Sequence, residues 1–418
     1  VHPVRPEIVP AVVAAVPRHV PTAVPATVRD RFPGLADPSV VYLDSAATTQ
    51  KPDTVIAAVT DYHRRHTANP GRGTYSWATT LSARIAAIRS RTAAFVGAGH
   101  PDEIVFTAGA TAALNAVALA WGLTALADGD EILYSPADHA ANVLPWEHLR
   151  DTLARFGRRI ALRPYRVTGA GEADTDHIAE LAGPRTRLIT VSHLHHVYGG
   201  LSTLEELRGR LDPGVLLCFD CSQSGGHLPV DVTALGADFA VFAGHKMFGA
   251  PGTGVLYCRR RVHGALRPFL PGGHTGTRMP ELLEGGTYNV PGILSLAPAL
   301  DLLDELDLTA VAAHNRDLTL RLIEGLRRIP GVRFLPGPAG AGCAVGYGIV
   351  SFTLDGITAT DLGFVLAEHG FLVRTGAHCV PGADESAGSV RVSTHVYTTP
   401  DEIDRFLTCL RRIAAQLR

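Results

Sequence analysis

The sequence predicts an α/β fold, a mostly parallel central sheet with helices on both faces and a smaller α+β domain at the C-terminal end. From Val40 onward, short apolar runs alternate with helical patterns, which is how a parallel sheet covered by helices is written. After about Pro291 amphipathic helices dominate and strands become fewer. With 418 residues, 46% of them hydrophobic, the chain can bury more than one core.

Taken in order, residues 1–26 carry Pro3, Pro6, Pro10, Pro17, Pro21 and Pro25, which deny them regular helix or central strand, so a surface arm is expected. Residues 27–42 are expected to pack with the small domain, 43–291 to form the large domain and 292–418 the small one. The strand candidates are Glu103 to Thr107, Glu131 to Ser135, Leu188 to Ser192, Val215 to Asp220 and Phe239 to Phe242. In the C-terminal part, helices are expected at Ala299 to Leu308 and Thr309 to Arg328, with a strand at Gly348 to Phe352. Thr399-Pro400-Asp401-Glu402 then supplies an N-cap, a first-turn proline and a capping-box glutamate. Behind it Ile403, Phe406, Leu407, Leu410, Ile413 and Leu417 share one helical face.

Composition excludes several classes of function. A formal net charge of -2 leaves no basic excess for nucleic acid or an acidic bilayer, so a small-molecule substrate is the expectation. No run of eighteen apolar residues appears, and a soluble, cytoplasmic protein is expected. Six scattered cysteines do not make a disulfide scaffold. Cys218-x-x-Cys221 lacks a second pair and His193, His195 and His196 lack a further ligand at metal-site spacing, so no metal is expected.

The chemistry concentrates at strand ends, where ligands gather in open α/β sheets. Lys246 follows the run Phe239 to Phe242 within Gly244-His245-Lys246, and a partly desolvated lysine there can lose its proton and act as a nucleophilic amine. Such an amine can form a Schiff base with pyridoxal phosphate (PLP). Asp220 ends the preceding strand and is placed to pair with that cofactor's pyridinium nitrogen. The turn Ala108-Gly109-Ala110-Thr111 leads into a helix whose first amides suit a phosphate.

These residues resemble the class V aminotransferase group of fold-type I PLP enzymes, and within it the SUF-type cysteine desulfurases. Tyr42 to Pro52, Asp138 to Asn142 with Pro145-Trp146, Asp220 to Gln223 with Leu228 to Val232, Gly244-His245-Lys246, Arg374 to Cys379, and Arg391 to Ser393 with Tyr397 carry the likeness, in the family's order and from about Arg29 to the C-terminus. The resemblance implies Lys246 as the Schiff-base lysine, Asp220 at the ring nitrogen, Gln223 near the phenolic oxygen and His139 stacked on the ring. It implies Thr111 and His245 at the phosphate, joined by Thr287 from a second subunit of a homodimer with shared active sites. It also implies Arg391 on the substrate carboxylate, Arg72 beside it, and Cys379 as the thiolate that attacks sulfur. Departures stand at Ala243 for a serine, Ala110 for the first of two threonines, His193 for an asparagine and Gly71 for a histidine; the segment between Cys379 and Arg391 is about three residues short.

The expected function is therefore cleavage of a C–S bond in cysteine or an S-substituted cysteine, by a desulfurase that passes sulfur to an acceptor protein or by a β-eliminating lyase. Another PLP reaction on an amino acid, such as epimerisation, transamination or decarboxylation-coupled deamination, is the alternative. A non-catalytic PLP-binding scaffold is the third reading, and the retained Lys246, Asp220 and Arg391 argue against it.

Overall fold

The structure, a computed structural model, describes residues 23–71, 73–169, 171–335, 346–383 and 388–417. Most of the expected N-terminal arm, and Arg72, lie outside the described residues.

After the short strand β1 (Val41–Tyr42), the chain forms the seven strands of one sheet: β2 (Ile104–Thr107), β3 (Glu131–Tyr134), β4 (Ala161–Pro164), β5 (Thr186–Ser192), β6 (Leu216–Asp220), β7 (Phe239–Ala243) and β8 (Gly254–Cys258). Their spatial order is β2-β8-β7-β6-β5-β3-β4. Every pairing is parallel except those of β8, which runs antiparallel to both neighbours. The sheet is thus mostly parallel, as expected.

Both faces are covered, and the side-chain alternation of the strands shows it. Ile104, Phe106, Leu217, Phe219, Ala240, Phe242, Val255 and Tyr257 pack with Val55, Leu81, Ile85, Ile293 and Leu300, from the helices Asp53–Arg65, Ser76–Phe95 and Val290–Leu306. The residues between them, Val105, Cys218, Phe239, Val241, Leu256 and Cys258, turn to the other side and meet Ala113, Leu114, Trp146 and Leu149, from the helices Ala110–Ala116 and Leu144–Arg155. A period of two in each strand thereby feeds two cores. Central parallel strands buried on both faces read as unbroken apolar runs, which is why they were legible.

The remaining strands are β9 (Val332–Phe334), β10 (Ile349–Leu354), β11 (Phe371–Leu372), β12 (Arg374–Gly376) and β13 (Ser389–Ser393). Four of them form an antiparallel sheet of order β12-β13-β10-β9, and β11 pairs in parallel with β1. A third core lies here: Phe352, Val390 and Val392 meet Leu318 and Leu322 of the helix Leu308–Arg327 and Phe406 and Leu410 of the helix Pro400–Gln416. That last helix has the full capping box, with Thr399 Oγ1 accepting from the Glu402 amide and Glu402 Oε2 from the Thr399 amide.

Two elements differ from the sequence expectation. The helix expected from Ala299 begins at Val290, because Pro291 lies in its first turn, where a missing N–H costs nothing, and Asn289 caps it. It crosses the expected division at 291 and packs on the helices of the large sheet. Leu417, expected on the buried face of the last helix, lies just past its end and is exposed.

Candidate active site

The carboxyl ends of β5, β6 and β7 open into a cavity of about 700 Å³. Lys246, Asp220, His139, Gln223, His245, Ala110, Thr111, Arg391 and Cys379 all line it, although they are spread across more than two thirds of the chain. The sheet gathers the first group. Asp220 ends β6, and its Oδ1 accepts from the Ser222 amide at 2.9 Å, which holds the carboxylate at the strand tip. Lys246 closes the single 3-10 turn after β7. Burial pushes its amine down to about 8, against the opposing pull of Asp220.

At another edge of the cavity Gly109 precedes the helix Ala110–Ala116, with φ +140 and open space where a Cβ would stand. The first helical amides have no partner within the helix and point outward beside Thr111, a ready place for a phosphate-like anion. His245 adjoins, its Nδ1 3.2 Å from Thr48 Oγ1, and burial lowers its pKa to about 4. Ala110 and Ala243 bring no hydroxyl to this edge, which leaves the amides, Thr111 and His245 as its polar groups.

His139 is neutral near pH 7, since burial, helped by Lys246, lowers its pKa to about 4. Its Nδ1 accepts from the Ala141 amide at 3.1 Å, which leaves the proton on Nε2. Gln223 donates through Nε2 to the Ala46 carbonyl at 2.9 Å. Among the described residues, ten buried side-chain polar atoms have no partner, and five of them belong to this cavity's wall: Ser222 Oγ, Gln223 Oε1, His196 Nδ1, His378 Nδ1 and Arg391 Nε. Buried polar groups are normally paired, so this concentration marks a wall with polar capacity left for a bound group.

On the small-sheet side, Arg374 and Arg391 sit directly opposite each other across β12 and β13. Like charges in that register repel, and Asp44 lies between them, 3.3 Å from Arg391 Nη2 and 4.0 Å from Arg374 Nη1. One carboxylate faces two guanidinium groups. An incoming carboxylate would balance the charge. Arg391 is almost wholly buried, which pulls its pKa down against the support of Asp44.

Of the described residues expected in this chain's own site, His193 does not line the cavity, and Thr287, expected to serve a second subunit's site, lies elsewhere. Beyond β5 the alternation continues, so Ser192, Leu194 and His196 enter the wall while His193 and His195 turn away. His193 is buried instead, with Nδ1 2.9 Å from Ser224 Oγ. Thr287 lines a separate cavity of about 290 Å³, beside Phe106, Thr253 and Tyr288. Sequence reasoning in turn missed Asp44, Arg374, His196 and His378 as lining or adjoining residues. Three of these stood inside quoted motifs, and the fourth was marked by the two-residue alternation from Ser192.

The comparisons agree with this architecture. The aminotransferase class-V family profile matches residues 41–406. A cysteine desulfurase from Klebsiella pneumoniae is 36% identical over 389 residues, covering 90% of this chain and 93% of that protein. A probable cysteine desulfurase from Vibrio cholerae is 34% identical over 403 residues, covering 92% and 97%. The solved apo structure of a cysteine desulfurase from Thermococcus onnurineus superposes with a TM-score of 0.87 at 30% identity, covering 95% of this chain and all of that one. By sequence and by fold, the chain belongs to the aminotransferase class-V family.

Proposed function

We propose that the protein uses PLP to cleave the C–S bond of cysteine or an S-substituted cysteine and that Cys379 accepts the sulfur. The observation that carries this reading is that Lys246, Asp220 and Cys379 line one cavity although Asp220 and Cys379 are 159 positions apart in the chain. The relatives named above as cysteine desulfurases support it.

The donor set fits PLP. Thr111, His245 and the helical amides after Gly109 would hold the phosphate, Asp220 the ring nitrogen, His139 a ring face, and Lys246 the aldehyde carbon. When bound, PLP supplies an electron sink for the bond-breaking at the substrate's α-carbon. Arg391, with Arg374 adjoining, orients the substrate carboxylate through a planar two-donor fork. Arg72 is a second candidate for that task. Lys246 Nζ, with its pKa drawn toward neutrality, takes the α-proton. The Cys379 thiolate then bonds to the substrate sulfur as the C–S bond breaks, and the electron pair stays on carbon. Protonation of that β-carbon and return of a proton from Lys246 to the α-carbon give alanine, and the sulfur remains on Cys379 as a persulfide.

A soluble acceptor protein in the cytoplasm would collect that sulfur. Among the described residues no helix is long and apolar enough to cross a membrane. We further propose a homodimer, in which Thr287 completes the partner copy's phosphate site. Mixing inactive Lys246→Ala and Thr287→Ala protomers should then change activity beyond the average of the two parents.

The deciding experiment compares wild type with Cys379→Ala on L-cysteine and a panel of cysteine S-conjugates, reading alanine, pyruvate and sulfide. Sulfur transfer predicts alanine from cysteine and a fall of about a hundredfold in Cys379→Ala. Pyruvate from an S-conjugate at an undiminished rate in the variant would instead make the enzyme a β-eliminating lyase.

A further inference from the structure

We infer that His196 is a positioning residue: its imidazole holds the His378–Cys379 turn against the cavity and thereby favours sulfur transfer over elimination, an inference that rests on the reading just given. His378 and Cys379 both have left-handed backbones, with φ 54 and 64. Two consecutive residues with a Cβ do not adopt that conformation unless their surroundings impose it.

Two ties reach the turn's carbonyls from across the cavity. Cys379 O accepts from the Ala140 amide at 2.9 Å, and His378 O accepts from His196 Nε2 at 3.0 Å. A carbonyl only accepts, so Nε2 must carry a proton. Burial lowers the pKa of this ring well below the ordinary value, so the ring is neutral and that is its single proton. The donor is therefore permanently aimed at the turn.

The ring is itself immobilised. It stacks on His195 with centroids 5.0 Å apart, and His195 stacks on Tyr198 at 4.4 Å. His195 is fully engaged, donating to Ala137 O at 3.1 Å and accepting from the amides of Val197 and Tyr198. The same residue meets the carboxylate-binding side, because the His196 carbonyl accepts from Arg391 Nη1 at 3.0 Å. One short segment after β5 thus ties the thiol-bearing turn to the arginine beside it. Attack on sulfur needs Cys379 Sγ in place, whereas expulsion of a β-substituent does not.

The test uses the PLP-loaded enzyme with His196→Phe, which keeps an aromatic ring but loses the donor, and His196→Gln, which restores an N–H. The alanine-to-pyruvate ratio from L-cysteine should fall about tenfold in the Phe variant and recover to within about threefold in the Gln variant, the order expected for one buried hydrogen bond. Hydrogen–deuterium exchange in the peptide 376–383 should rise in the Phe variant and return in the Gln variant. An unchanged ratio and unchanged exchange in the Phe variant would overturn the inference, and so would a loss that Gln does not repair, since that loss would belong to packing. If wild type makes no alanine, the sulfur-transfer reading fails and exchange alone decides: equal exchange in wild type and the Phe variant sinks the positioning role, and a rise reversed by Gln sustains it.

Discussion

The carboxyl edge of the large sheet and the His378–Cys379 turn line the same cavity but are held in opposite ways. Asp220 ends, and Lys246 follows, a strand whose residues are almost all buried, and a backbone ladder sets where each side chain starts. Cys379 is exposed, stands in a left-handed turn, and is held by a few hydrogen bonds from distant segments. The sheet itself positions Asp220 and Lys246, while the turn that bears Cys379 depends on a local clamp. Substitutions at the first region should remove the reaction; those at the second should redirect it.

The largest effect should come from Lys246→Ala, which is expected to lower turnover on any amino-acid substrate by at least about a thousandfold. Borohydride should fix PLP to the Lys246 peptide of wild type and to no peptide of the variant. Label on another lysine would show that Lys246 does not carry the cofactor. Asp220→Ala should slow exchange of the substrate α-proton with solvent by a factor of about 100, because the ring nitrogen loses its carboxylate partner. Exchange at the wild-type rate would show that Asp220 does not serve the ring.

A pH series tests the same lysine. A lysine whose pKa is lowered to about 8 is protonated below that pH and free above it. PLP uptake by the cofactor-free protein should accelerate about tenfold from pH 7 to 9 and then level off, where an ordinary lysine would accelerate about a hundredfold over the same interval and keep rising through pH 10. Uptake that keeps rising through pH 10 would place the Lys246 amine in a more solvated setting.

Ala140→Pro probes the turn. Ala140 opens a 3-10 turn after the extended His139, a position that admits proline, and the change removes the amide that holds Cys379 O. Alanine formation from cysteine should fall about tenfold while PLP remains fixed to Lys246. An equal loss of PLP binding would mean that the two regions are not separable.

Much of the large sheet was legible because its central strands are apolar on both faces, and Lys246 and Asp220 stood at the ends of two such runs. β4 and β8 were passed over: β4 is a partly exposed edge strand, and β8 is antiparallel and follows a glycine-rich loop. Pro291 misled because a proline in a helix's first turn and a proline that breaks a helix read alike.

Local order in the chain was enough for the fold class and the residue types at strand ends, because hydrophobic period and backbone propensity act over a few neighbours, while the family came from the resemblance of its motifs. It could not say that Asp44 lies between Arg374 and Arg391 or that His196 reaches the carbonyl of His378. Those relations join segments tens to hundreds of residues apart, and they exist only once the sheets pair in one register and close the cavity between them.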